Sequence, residues 1–171
     1  SVANFLMGTK RLYDYVDHNP SVMIAPVDYV NNPWVIAQND NLVSINSCVQ
    51  VDLMGQVCAE SIGQTQISGV GGQVDFVRGA AMSRGGRSIL AFPSTAAKGK
   101  VSKIVACLDA GAAVTTSRND VHYIVTEYGI ADLRGQTLRE RARRLIAVAH
   151  PDFREELMEE YGRHFGEAPA V

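Results

Sequence analysis

The chain has 171 residues, the length of one ordinary domain, and its 46% apolar and 20% charged residues place it among globular proteins able to bury a core. Its 16 basic and 18 acidic residues give a net charge of −2, which lacks the basic surplus of a nucleic-acid binder. The longest unbroken apolar runs, Ile104–Leu108 and Leu145–Ala149, reach five residues, whereas a membrane span needs about 20.

In chain order, Val2–Met7 reads as a short strand and Lys10–Asp17 as a helix, with Leu12, Tyr13 and Val16 at helical spacing. Asn19-Pro20 stops that helix. Val22–Val27 contains Pro26, so it reads as an edge strand or extended loop, and Asn31-Asn32-Pro33 turns into a short helical Trp34–Gln38. Leu42–Ser47 and Val49–Leu53 alternate as strands before the turn Met54-Gly55-Gln56. Gly63 to Gly72 is loop, and Val74–Met82 is rich in small residues, with Gly79-Ala80-Ala81 permitting close packing. Ser88–Phe92, Ser102–Leu108, Ala113–Thr116 and Val121–Thr126 complete the predicted strands, with Gly111 and Gly129 at their borders.

The last third is helical. Thr137 and Glu140 have capping-box spacing, and Leu138, Ala142, Leu145, Ile146 and Ala149 form one apolar face. Arg139, Arg141, Arg143 and Arg144 lie opposite and read as a solvated face. Pro151–His164 is a second helix opened by a proline at a position that tolerates it. Residues 1–165 are therefore expected as one domain and 166–171 as a frayed tail. Short β-branched strands such as Ile104–Leu108, which read as buried on both faces, predict an α/β fold with a mixed, largely parallel sheet flanked by helices.

Cys48, Cys58 and Cys107 form no C-x-x-C pair, and their odd number in apolar settings predicts reduced, mostly buried thiols of a cytoplasmic protein. His18, His122, His150 and His164 have no metal spacing, so capping or core roles are expected and no metal. Charges at Lys10, Arg11, Asp14 and Asp17 interrupt any signal-peptide core. The chain does not begin with Met, which suggests a piece of something longer.

Chemistry concentrates in Ser68-Gly69-Val70-Gly71-Gly72-Gln73-Val74-Asp75-Phe76. Glycines at 69, 71 and 72 let backbone N–H groups approach a phosphate or a developing oxyanion, but the spacing is neither G-x-G-x-x-G nor a P-loop, and on spacing alone a bare tight turn is the favoured reading. Lys98 and Lys100, beside Ser94 and Thr95, read equally as cofactor-holding charges or as surface lysines of a hairpin. Glu60 and Glu127 are the best-placed carboxylates, each with a structural hydrogen bond as its expected role. Asp109 and Asp120 read as turn residues.

Several strings then occur in order: Tyr29-Val30-Asn31-Asn32-Pro33; Ile45-Asn46-Ser47; Val51-Asp52-Leu53-Met54-Gly55-Gln56; the glycine loop; Pro93-Ser94-Thr95-Ala96; His122 through Gly135; and Ala149-His150-Pro151-Asp152-Phe153-Arg154. Together, from about Phe5 to Leu157, they resemble the carboxy-terminal domain of the acetyl-CoA hydrolase/transferase family, and within it the 4-hydroxybutyrate and butyryl-CoA:acetate CoA-transferases. The resemblance implies exchange of coenzyme A between a short-chain acyl-CoA and a carboxylate through a glutamyl-CoA thioester. It implies that Ser68, Gly69, Gly71 and Gly72 form the oxyanion and CoA-contacting loop, and that Lys98 holds the cofactor. Ser68 stands where some relatives carry Asn. The family's nucleophilic glutamate lies upstream of the matching stretch, so the resemblance implies no catalytic nucleophile in this chain. It further implies a missing amino-terminal domain, inactivity of the chain alone and a homo-oligomer. An acyl-CoA hydrolase and a non-catalytic CoA-binding module are the alternatives.

Overall fold

The computed structural model describes residues 1–166. In chain order its elements are β1 (Val2–Ala3), α1 (Lys10–Val16), β2 (Met23–Ile24), α2 (Val27–Val30), α3 (Pro33–Ile36), β3 (Val43–Asn46), β4 (Gln50–Asp52), β5 (Val57–Cys58), β6 (Ser61–Ile62) and β7 (Thr65–Gln66). There follow α4 (Gln73–Met82), β8 (Arg87–Ala91), β9 (Thr95–Ala96), β10 (Val101–Ser102), β11 (Ile104–Val105), β12 (Tyr123–Thr126), β13 (Gly129–Asp132), α5 (Leu138–Ala147) and α6 (Pro151–Phe165).

The main sheet has the order β13-β12-β8-β3, parallel except for its antiparallel β12–β13 edge, so the fold is the expected mixed α/β arrangement. Its register places Ala131, Ile124 and Leu90 side by side across three strands, and all three are buried. Each large apolar side chain so buried contributes about 1.5–3 kcal/mol. Leu145 and Ile146 of α5 and Leu157 and Tyr161 of α6 join them in one core. A smaller sheet, β11-β4-β5, adds Val51, Val57 and Ile104 to the same core.

The termini of the last two helices are as their residues predict. Thr137 Oγ1 accepts from the Glu140 N–H at 3.3 Å, half of a capping box, while the Glu140 carboxylate turns instead to Arg144 at 2.8 Å. His150 Nδ1 caps α6 by accepting from the Asp152 N–H, and Pro151 opens the helix. Gly166 closes α6 in the left-handed conformation; the expected frayed tail otherwise falls on residues 167–171, outside the described ones.

Elsewhere the structure corrects the sequence reading. Val2–Met7 contributes only the two residues of β1, paired in parallel with β2. Ser102–Leu108 divides between β10 and β11, which pair in different sheets, and only Ile104 of Ile104–Leu108 is fully buried. Ala113–Thr116 is loop apart from one bridge between Thr116 and Val57. Gly129 begins β13 instead of bounding a strand. Arg141 does not face solvent: its guanidinium is buried and donates to the carbonyls of Arg118 (2.7 Å) and Gln136 (3.4 Å). Burial, and secondarily the neighbouring Arg118 charge, lowers the Arg141 pKa. Val74–Met82 is the core of a ten-residue helix, α4, packed on α3, β3 and β8. Gly79 is the close-packing position anticipated, since a Cβ there would lie 2.4 Å from Ile36 Cγ2.

All three cysteines are free thiols, with Cys48 and Cys58 buried and Cys107 exposed. Burial pushes the Cys48 pKa up to about 12, which makes it a packing residue and not a nucleophile. No helix among the described residues is long and apolar enough to cross a membrane.

Candidate functional site

The glycine loop hangs between two anchors. Upstream, the β6–β7 hairpin returns the chain to Glu60, whose carbonyl accepts the N–H groups of Ile67 (2.8 Å) and Ser68 (3.2 Å). Downstream, the loop runs into the first turn of α4. That helix is fixed by Gln73 Nε2 donating to the buried Thr116 hydroxyl at 3.1 Å and by an Arg78–Asp120 ion pair at 3.0 Å. Between the anchors Ser68, Gly69, Val70 and Gly71 are exposed.

The backbone N–H groups of Gly69, Val70, Gly71 and Gly72 make no hydrogen bond among the described residues. Gly72 is the N-cap of α4 and offers no side-chain cap, so the first-turn N–H groups are also open. Such a run of unpaired donors at a helix start suits a phosphate or an oxyanion. The two central glycines serve it differently. Gly71 has φ +60° with nothing near its missing Cβ, so glycine is there for backbone conformation. Gly72 has φ −93°, open to any residue, but a Cβ would stand 2.3 Å from Asn31 Nδ2. Its glycine is required for space.

Asn31 was legible in the sequence only as a turn residue. Asn4 Nδ2 donates to Asn31 Oδ1 at 3.4 Å, which leaves the Asn31 amide nitrogen turned toward Gly72. Asn31 and Gly72 are brought together across a long separation by α3, which begins just after Asn31 and packs on α4. No local signal marks that contact.

Lys98 sits in the β9–β10 hairpin, where Ala97, Lys98 and Gly99 have φ of +49°, +60° and +85°. Two consecutive non-glycine residues in the left-handed region cost roughly 1 kcal/mol each or more, so this turn is strained. Lys98 is exposed and makes no hydrogen bond or ion pair among the described residues, so its ammonium is free for a ligand. No hydrogen bond joins it to the glycine loop among those residues, and Lys100 is exposed on the same hairpin.

Both candidate carboxylates have the hydrogen bonds expected of them. Glu127, between β12 and β13, accepts from the Ser94 N–H (2.8 Å) and Ser94 hydroxyl (2.6 Å), thereby holding the start of β9. The Ser94 hydroxyl bond holds the Glu127 pKa below the usual glutamate range. Glu60 accepts from Gln66 Nε2 at 3.1 Å. Asp109 binds the buried Gln50 side chain, and Asp120 takes Arg78. His122 is a core residue stacked on Tyr123, its pKa lowered chiefly by burial and then by Arg134.

The geometry thus defines a mixed α/β domain with one donor-rich loop, a free lysine on a separate hairpin, and carboxylates engaged in structural bonds. The chain belongs to the acetyl-CoA hydrolase/transferase C-terminal domain family, whose model matches residues 8–161. It is 70% identical over 164 residues to the 4-hydroxybutyrate coenzyme A transferase of Clostridium kluyveri, which covers 96% of this chain and 38% of that protein. It is 49% identical to the butyryl-CoA:acetate CoA-transferase of Anaerostipes caccae, covering 91% of this chain and 36% of the relative. Its fold matches the crystal structure of RipA from Yersinia pestis with a TM-score of 0.91 at 52% identity, over 96% of this chain and 37% of that one. The chain spans a little over a third of the length of these relatives.

Proposed function

We propose that this chain is the carboxy-terminal domain of a longer cytoplasmic CoA-transferase that exchanges coenzyme A between a short-chain acyl-CoA and a carboxylate. The four unpaired N–H groups from Gly69 to Gly72 carry this reading, because each acyl-transfer step builds charge on a carbonyl oxygen that needs such donors. Lys98 supplies a free positive charge for a phosphate of the same cofactor. Glu127 and one oxygen of Glu60 are engaged in hydrogen bonds, and neither residue lies in a stretch that resembles the family's nucleophile motif. By the family resemblance, the attacking glutamate lies in the part of the protein outside this chain, and it forms a glutamyl-CoA thioester that the acceptor carboxylate then resolves.

The surface supports a further body of protein. The main sheet's second face exposes Ile45 and Ile130 at 69% each, and Trp34 is 73% exposed. Large apolar side chains left exposed on a sheet face and a nearby helix support a contact with further protein. An amino-terminal domain covers it in our reading, with assembly into a homo-oligomer. Two buried free thiols fit a reducing compartment.

The test is exchange in the full-length protein that carries this domain. With butyryl-CoA and acetate, acetyl-CoA and butyrate are expected to appear in equal amounts. Release of free CoA without acetyl-CoA would assign hydrolysis in place of transfer, and no consumption of butyryl-CoA with any carboxylate acceptor would reject the reading.

A further inference from the structure

At the foot of the glycine loop lies a carboxylate whose burial has no explanation in stability. Glu60 is only 8% exposed, and its Oε2 is fully buried without a hydrogen-bond partner. Burying a carboxylate oxygen unpaired is costly, and an apolar side chain of similar size would avoid that cost. Its other oxygen, Oε1, accepts from Gln66 Nε2 at 3.1 Å. The same Gln66 nitrogen donates to the Ser68 carbonyl at 2.6 Å. The Glu60 carbonyl meanwhile takes the N–H groups of Ile67 and Ser68. Backbone and side chain of one residue thus grip the entry to the loop.

We propose that Glu60 is a positioning residue for the thioester-binding loop, acting through Gln66 on the Ser68–Gly69 peptide. The peptide unit is planar and trans, so its C=O and N–H point in opposite directions. Fixing the Ser68 carbonyl toward Gln66 therefore aims the Gly69 N–H away from Gln66. That N–H is the first of the unpaired donors. Glu60 orients the Gln66 amide and so selects which way this peptide faces. A Ser68–Gly69 peptide free to flip would present a carbonyl oxygen where the site needs a donor, because glycine at 69 permits both orientations. No heavy atom lies within 4 Å of where a Gly69 Cβ would be, so no packing on that side fixes the peptide, and the Ser68 hydroxyl donates at 3.1 Å to the carbonyl of the next peptide, that of Gly69. The bond from Gln66 to the Ser68 carbonyl is the one that fixes this peptide's own oxygen.

The inference rests on the loop being the CoA-contacting element, and its test reads the loop both with and without turnover. In the full-length protein, Glu60→Ala is expected to lower kcat about tenfold, the worth of one charge-assisted hydrogen bond, with KM for acyl-CoA within about twofold. Glu60→Gln keeps an acceptor for Gln66 and is expected to restore most of kcat. Gln66→Leu should reproduce the loss, and the double variant Glu60→Ala/Gln66→Leu should add nothing to it, because both break one chain of bonds. Amide hydrogen exchange, which needs no activity, should quicken about tenfold at Ile67 and Ser68 in Glu60→Ala and Gln66→Leu, with melting temperature little changed. Wild-type exchange rates and kcat in Glu60→Ala would overturn the proposal. So would additive losses in the double variant, or a loss in Glu60→Gln as large as in Glu60→Ala. Altered hydrogen exchange in a full-length protein that exchanges no CoA would retain the clamp and reject the function instead.

Discussion

Gly72→Ala in the full-length protein is expected to lower kcat by about 10²–10³, the usual effect of losing one oxyanion donor, while the protein stays folded. The added Cβ would sit 2.3 Å from Asn31 Nδ2, so the amide must swing aside or the start of α4 must retreat. The clash is with the far end of a side chain, and φ at Gly72 is −93°, so alanine brings no backbone strain. The cost therefore falls on the placement of the loop donors more than on stability. Lys98→Ala is expected to behave differently. The lysine is exposed and unpaired, so its removal leaves the fold intact and weakens ground state and transition state alike. KM for acyl-CoA should rise several-fold with kcat nearly constant. Steady-state kinetics of the two variants side by side checks the contrast. Equal and small effects in both would reduce the loop to a turn.

The second large effect concerns the chain by itself. Purified alone, with circular dichroism showing its helices formed, it is expected to leave butyryl-CoA and acetate unchanged. The reason is chemical: under the proposed function the donors of the glycine loop would stabilise an oxyanion but could not create one without a nucleophile. Its uncovered Ile45, Ile130 and Trp34 should also drive self-association, visible by light scattering. Turnover above an enzyme-free control would return Glu60 and Glu127 to consideration.

What could be read from the residues followed physical scale. The two terminal helices were legible because a full apolar face and capping residues at Thr137 and His150 act within a few positions. Helix α4 was hidden by Gly79 in its interior and by Val74 and Val77, residues that weaken helical propensity. Packing overrode that weakness: the glycine is what lets α4 approach Ile36. Two-residue strands such as β5 and β11 carry too few residues for any alternation to show. Arg141 misled because an arginine among arginines reads as solvated, yet the carbonyl of Arg118 from a distant turn and that of Gln136 just before α5 receive it. At the candidate site, the open backbone of the loop was legible from its glycines, whereas its role toward coenzyme A was implied by the family resemblance. The Asn31–Gly72 contact and the Glu60–Gln66–Ser68 clamp were not, since the first joins separate elements and the second is set by hairpin geometry.

The division of labour between this domain and the rest of the protein is tested most directly by locating the covalent intermediate. The full-length protein would be incubated with acyl-CoA, treated with borohydride to reduce the enzyme thioester to an alcohol, digested and mapped by mass spectrometry. The modified glutamate is expected in a peptide upstream of Ser1, with Glu60 and Glu127 unmodified. Modification at Glu60 or Glu127 would contradict the assignment of this chain as the donor half of the site.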